Sequence, residues 1–453
     1  MSAVRAIPTA CHAKPRTPNP RAPARHTRAP VSRACASSSL REGVVAIDEL
    51  HAQLPFDRDT WKMFMSEYWQ KRPCVIRGAV NSTIPEIDAD ELSGLACENV
   101  FQPRIIRKGE GRSDWALEMG PFSEDELRAL PTAGSWCLIM NDLEKHIREV
   151  KGLLALFDHF PRWRVADVQA SLSADGGSVG PHSDQFDVFL IQAEGNKAWS
   201  ISDSAEYAPD NESAFYQDID VRVLKDFRPT SSSLLERGDM LYLPPKVAHH
   251  GVAKGCDTVC VTYSVGFLAP THDELVSSFA QASVNERAAV ERWSDPWLEP
   301  QCDVGKISAA AVTHATEIIR NAMPKNETDV ARWFGCHVTG SGGVDDAFFA
   351  PVDDVTADEL IAEWTETGFL FRRGDIKFAI IEDVSDGSLD GCLFFAAGSV
   401  WTVKSPRCIE FARHVANHDE IEADGWIQGG EMDGESKVLL HDLFSNGFIY
   451  FDD

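Results

Sequence analysis

The sequence predicts an α+β chain organised around a jelly-roll barrel of the cupin kind. Residues 163–267 carry short runs of β-branched and aromatic residues, at Val165–Leu172, Phe186–Gln192, Ala198–Ser202, Met240–Leu243 and Thr258–Phe267, broken by Gly, Asp and Pro. Closely spaced strands of this kind close into a barrel or jelly roll. Helical periodicity flanks that stretch on both sides. A His–x–Asp and a Pro–Pro–x–x–x–His sequence sit beside its strands.

The elements follow in order. The first 41 residues hold eight Lys or Arg and no Asp or Glu, are rich in Ala, Pro and Ser, and lack an apolar secretory core. This is the composition of an organellar transit peptide, and Val31–Ala36 ahead of three serines suits a chloroplast cleavage region better than a mitochondrial one. From Val44 onward acids and apolar residues mix, and a folded domain begins. Trp61, Phe64, Met65 and Tyr68 fall at i, i+3, i+4 and i+7, which predicts a helix over Asp57–Trp69. Ser123 and Glu126 have capping-box spacing, and Asp142–Phe160 reads as a helix with Ile147, Val150, Leu154 and Phe157 inward. The segment before residue 160 is therefore expected to be helix and loop.

Beyond the barrel, Thr271 and Glu274 open a helical region in which Leu275, Phe279, Ala282, Val290 and Trp293 are available for packing, including packing between two copies. A further capping box at Thr356 and Glu359 opens the last hundred residues. Strands near Phe378–Ile381 and Leu393–Val403, then a helix and strand over Val438–Phe451, suggest a small winged-helix-like module.

A net charge of −27 argues against general nucleic-acid binding, and residues 411–453 hold ten acids against two Lys or Arg, so direct DNA binding is not expected of the last module. A basic macromolecular partner suits this charge better. No stretch approaches the roughly 18 apolar residues of a membrane span. None of the eleven cysteines forms a C–x–x–C pair; Cys256 and Cys260 have three residues between them and no second pair nearby, so reduced, mostly buried thiols are expected.

The chemistry concentrates in Gly176–Asp184. His182 and Asp184 are two residues apart, and on an extended strand both point to one face. A third donor, His249, follows Leu243–Pro244–Pro245–Lys246–Val247–Ala248. Two His and one carboxylate on one side of an ion leave positions open for a bidentate cosubstrate and O2, as non-haem iron oxygenases require, whereas a structural zinc site fills all four. His250 adjoins His249 and is the alternative ligand, although alternation along an extended chain turns one of the two away. His146 and His159 fall on the expected helix as surface or capping groups. Asp187 reads as a structural hydrogen-bonding group or as a partner for a substrate guanidinium.

The stretch Gly180–Gln192 (GPHSDQFDVFLIQ), with Gly238–Pro245 (GDMLYLPP) and Tyr263–Phe267 (YSVGF), resembles the Jumonji-type ribosomal oxygenases, specifically the bacterial arginine hydroxylases of a large-subunit ribosomal protein. The leader lies outside the resemblance. It implies a double-stranded β-helix (JmjC-type) oxygenase domain over 42–268, a helical dimerisation region over 269–348 and a winged-helix-like domain over 349–453, after a transit peptide at 1–41. It further implies Fe(II) held by His182, Asp184 and His249, with the family pattern favouring His249 over His250, and 2-oxoglutarate and O2 as cosubstrates. Lys197, fifteen positions after His182, matches the family's basic position for the distal carboxylate of 2-oxoglutarate. That position is commonly Arg in the bacterial relatives, so a lysine offers a point charge where a bidentate fork is possible. Thr262 and Ser264 lie on the late strand expected near the cosubstrate.

The resemblance thus implies a homodimeric hydroxylase acting on an arginine of a basic ribosomal protein. Histidine hydroxylation or lysine demethylation are alternatives within the superfamily. A non-catalytic cupin-like binding module is the alternative outside it.

Overall fold

Runs of apolar residues alternating with small polar ones lay two sheets face to face. In chain order the strands are β1 (Val45–Ala46), β2 (Glu49–His51), β3 (Cys74–Arg77), β4 (Arg104–Lys108), β5 (Trp115–Met119), β6 (Trp136–Met140), β7 (Val165–Ser173), β8 (Asp187–Glu194), β9 (Lys197–Ser202), β10 (Ser231–Leu235), β11 (Met240–Leu243), β12 (Ala248–Ala253) and β13 (Cys260–Phe267). The larger sheet has the order β2-β3-β11-β8-β13-β7-β6-β4-β5, and the smaller β1-β10-β9-β12. This computed structural model describes residues 44–452 apart from 81–82, 112, 257–258, 269, 286–291, 297–304, 341–354 and 428–430. The leader at 1–41, Val290 and the 348/349 boundary fall outside those residues.

Strand alternation builds two distinct cores. On the outer face of the large sheet, Val168, Ala170, Leu172, Phe189, Ile191, Tyr242 and Tyr263 pack with Phe64, Phe157 and Phe160. Between the sheets, Val188, Leu190, Leu241 and Leu243 meet Trp199, Ile201 and Val247. β8 is therefore buried on both faces, and each of Val188, Phe189, Leu190 and Ile191 contributes about 1.5–3 kcal/mol of burial free energy.

The barrel strands appear close to where the sequence puts them, and Thr258 lies outside the described residues. The helix read over Asp57–Trp69 is Arg58–Glu67, N-capped by Asp57, and the boxes at Ser123, Thr271 and Thr356 form. Two readings of the N-terminal segment are corrected. It is not helix and loop alone, because β2–β6 extend the large sheet. Nor is Asp142–Phe160 one helix: it breaks into Leu143–His146, Arg148–Lys151 and a 3-10 stretch over Gly152–Phe157. Asp142 has φ 60° and Ile147 is extended, and the break lets the Glu144 carboxylate accept from Val168 N–H at 2.7 Å.

After the barrel come helices His272–Asn285, Ala309–Ala322 and Glu327–Gly340. The last part combines helices Ala357–Thr367, Pro406–Asn417 and Gly434–Ser445 with β14 (Phe369–Arg372), β15 (Phe378–Ile381), β16 (Cys392–Ala396), β17 (Ser399–Val403), β18 (Glu420–Glu422) and β19 (Ile449–Tyr450). Its own core includes Trp364, Phe394, Phe411 and Leu443. Asp419 ties it to the barrel side, accepting from Arg372 (2.7 Å) and pairing with Lys151 (3.2 Å) and Arg162 (3.4 Å). Among the described residues no helix is long and apolar enough to cross a membrane.

Candidate metal and cosubstrate site

The loop entering β8 and the start of β12 meet at one end of the barrel. His182 and His249 form an antiparallel bridge, and Lys246 N–H donates to the Asp184 carbonyl at 2.8 Å. His182 Nε2 lies 3.8 Å and His249 Nε2 3.6 Å from Asp184 Oδ2, and the ligand atoms of all three residues fall within 4.8 Å of one another. His250, one residue further along β12, turns out of this cluster and its ring stands against Phe227.

The tautomers are preset. His182 Nδ1 lies 2.9 Å from the Gly180 carbonyl and His249 Nδ1 3.0 Å from that of Val247. A carbonyl only accepts, so each Nδ1 carries its proton and each Nε2 lone pair faces the cluster. Burial, reinforced by the neighbouring His182, holds the His249 imidazole well below its usual value and therefore neutral. Two imidazole lone pairs and one carboxylate, gathered on one side, fit a divalent iron with positions left open.

Deeper in the barrel lies a buried cation. Lys197 opens β9, is 4 % exposed, and donates from Nζ to Ser171 Oγ (3.2 Å) and Thr262 Oγ1 (3.3 Å). Among the described residues no carboxylate pairs with it. A buried ammonium is costly without a counter-ion, and an anion entering the barrel would meet this one. Trp199 Nε1, on the same interior face, is buried and without a partner. Gly251 leaves room for the Trp199 ring, because a Cβ there would stand 2.7 Å from it.

A family model for the JmjC domain matches residues 152–275. The ribosomal protein uL16 3-hydroxylase of Escherichia coli is 30% identical over 324 residues, which span 71% of this chain and 83% of that protein. The chain belongs to the JmjC ribosomal oxygenases. A probable ribosomal oxygenase of Haemophilus influenzae is 29% identical over 49% of this chain and 53% of its own length. The solved structure of the Escherichia coli ribosomal oxygenase YcfD in complex with cobalt and 2-oxoglutarate superposes with a TM-score of 0.70 at 27% identity, covering 88% of this chain and 99% of that one.

In this ribosomal oxygenase the predicted site residues divide cleanly. His182, Asp184 and His249 come together, and Lys197 meets Thr262. Ser264 is on the same face of β13 but nearer the mouth, opposite Gln169, and Lys197 bonds Ser171 and Thr262 instead. Asp187 is fully buried and structural, accepting from Tyr242 (2.8 Å), Gln70 (2.9 Å) and Arg164 (3.1 Å). His159 packs on Trp61 and bonds the Phe56 carbonyl, and His146 packs on Phe101.

Sequence reading missed Ser171 and Gln192, which complete the Lys197 pocket through Thr262. It also missed the polar wall of Asn141, whose Oδ1 accepts from Arg104 (3.1 Å) and Gln169 (2.9 Å), and Asp167 near the mouth. Asp167, Gln169 and Ser171 share one face of β7, as strand alternation requires. Gly266 leaves space for the Asp167 carboxylate, since a Cβ there would lie 3.2 Å from its Oδ1.

Proposed function

We propose that this chain is an Fe(II)- and 2-oxoglutarate-dependent protein hydroxylase whose target is an arginine of a basic large-subunit ribosomal protein. The observation that carries the reading is the joint presence, inside one barrel, of three converging metal donors and a buried ammonium with no carboxylate partner among the described residues. The cobalt and 2-oxoglutarate bound to YcfD support it.

His182, Asp184 and His249 would hold the ion. Fe(II), with 2-oxoglutarate and O2, supplies the oxidising power for C–H hydroxylation. Lys197, Ser171 and Thr262 fix the distal carboxylate of the cosubstrate. Val188, Leu190, Trp199 and Ile201 keep the interior dry, which strengthens that ion contact. Asp167, with no hydrogen-bonding partner of its own among the described residues, offers a carboxylate to a guanidinium entering at the mouth.

The domain layout of oxygenase 42–268, dimerisation region 269–348 and winged-helix-like 349–453 is part of the proposal. Dimerisation is supported by the helix Ala309–Ala322, which buries none of its residues and leaves Val312, Ile318 and Ile319 exposed. The basic, acid-free leader supports import into an organelle, the chloroplast rather than the mitochondrion.

Mass spectrometry of organellar ribosomal proteins incubated with enzyme, Fe(II) and 2-oxoglutarate tests the reading, with Asp184→Ala as control. The expected result is a gain of about 16 Da, one oxygen, on an arginine and only with intact enzyme. The same gain on a histidine, or loss of lysine methyl groups, would select an alternative activity. Absence of any 2-oxoglutarate consumption would leave a binding module.

A further inference from the structure

At the metal end of the barrel a cavity of about 420 Å³ is walled by two parts of the chain. Asp167 of β7, Phe186 just after Asp184, and Asp142 and Glu144 line it from the oxygenase side, and the loop Arg373–Lys377 ahead of β15 lines it from the C-terminal side. That loop is held close. Gly374 touches the Lys145 backbone so tightly that a Cβ would lie 2.4 Å from the Lys145 carbonyl oxygen. The Asp419 cluster fastens the same junction.

Most charges around the cavity are matched. Asp142 pairs with Lys145 at 2.9 Å and Asp375 with Arg373 at 2.5 Å, while Lys151, Arg162 and Arg372 converge on Asp419. Glu144 accepts from the Val168 amide. Two groups remain, Asp167 and Lys377, whose side chains make no hydrogen bond or ion pair with any described residue. Burial raises the Asp167 carboxyl to about 6, assisted by Asp142 and opposed by Lys145, Arg104 and Lys377. Burial also lowers the Lys377 ammonium to about 8, assisted by Lys145 and opposed by Glu144, Asp167 and Asp142. The two unmatched groups therefore line the same cavity without touching.

We propose that Lys377, supplied by the C-terminal module, is a specificity-determining residue of the oxygenase cleft: of the cations around Asp167 it is the one not engaged by another described side chain, since Lys145 pairs with Asp142 and Arg104 bonds Asn141, and a cationic substrate side chain must compete with it. This rests on the arginine reading given above and deepens it. A guanidinium entering toward Asp167 meets a second positive charge in the same low-dielectric space, a repulsion expected to weaken binding about tenfold. A neutral side chain of the same shape meets no such repulsion. The C-terminal module would thus restrain the affinity of this mouth for an entering arginine.

The test uses the full chain, metal-free, and a peptide carrying the arginine that the wild type hydroxylates, beside the same peptide with citrulline there. Calorimetry at about pH 7, where both Asp167 and Lys377 are charged, gives the affinities. Lys377→Gln should bind the arginine peptide about tenfold tighter at low salt, with a smaller gain at high salt and no change for citrulline. Lys377→Arg should match wild type. In turnover of the loaded enzyme, Lys377→Gln should lower KM for the arginine peptide more than it alters kcat. An unchanged arginine-peptide affinity in Lys377→Gln, or equal shifts for both peptides, would overturn the role of Lys377 while the hydroxylase reading stands. If wild type hydroxylates no arginine in any ribosomal protein, the arginine reading fails and this inference falls with it.

Discussion

His182 and His249 hold each other by their main chains: His182 N–H donates to the His249 carbonyl at 3.0 Å and His249 N–H to the His182 carbonyl at 2.8 Å. The two ligands are thus locked in register by their backbones. Substituting one imidazole should leave the fold intact while removing the ion. His249→Ala is expected to lose at least about 100-fold in Mn(II) affinity, read by electron paramagnetic resonance, while His250→Ala stays near wild type. Loss of metal in His250→Ala with retention in His249→Ala would reverse the assignment.

Lys197→Ala should raise the KM for 2-oxoglutarate by about 10–100-fold, because it removes the cation proposed to hold the distal carboxylate and leaves Ser171 and Thr262 as neutral donors. Lys197→Arg should recover part of that loss. Initial rates across a 2-oxoglutarate series decide it. Equal KM values for wild type and Lys197→Ala would remove Lys197 from the cosubstrate site.

Asp187 is a stability residue despite its position three residues after Asp184. Removing its carboxylate leaves Arg164 without its counter-ion and takes one hydrogen-bond partner each from Tyr242 and Gln70. Asp187→Ala is expected to cost about 3 kcal/mol, seen as a lower urea midpoint. A variant with full stability and lost turnover would return Asp187 to the reaction.

Glu144 gives the pH prediction. Burial raises its carboxyl to about 7, against the amide bond from Val168, which lowers it. The unfolded chain therefore releases this proton at a lower pH than the folded one, so its contribution turns increasingly unfavourable as pH rises from about 4.5 to about 7. Glu144→Gln keeps an acceptor for Val168 and has no proton to lose. It should be more stable than wild type by about 1–3 kcal/mol above pH ~7, with that advantage gone below pH ~4.5. Thermal melts across this range check the crossing; parallel curves would refute it.

The metal ligands were legible in the sequence because two of them are close neighbours and the third follows a Pro–Pro break. Lys197 was legible only through family resemblance, since alone it looks like any strand lysine. Ser171, Gln192, Asn141 and Asp167 were not legible, because they approach one another only through the register of β6, β7, β8 and β13. In the fold, β8 and β11 announce themselves by unbroken apolar runs. β10 begins with three serines and β12 reads Ala-His-His-Gly, so neither shows a strand-like pattern. The stripe over Asp142–Phe160 has helical spacing, yet tertiary contacts from Glu144 outweigh local preference and break it.

Asp419 has a consequence for how the molecule comes apart. One carboxylate, a third exposed, gathers an arginine from its own module and a lysine and an arginine from the oxygenase side. Burial alone would raise it, but Arg372, Lys151 and Arg162 outweigh that and hold it at about 2. Separating the two bodies would leave Lys151, 20 % exposed, without its counter-ion and take one partner from Arg162, so neither body is free to melt on its own terms. Near neutral pH calorimetry should record one endotherm spanning both cores. As pH falls from about 4 toward about 2 the carboxylate protonates, the linkage is lost, and that single heat absorption should separate into two.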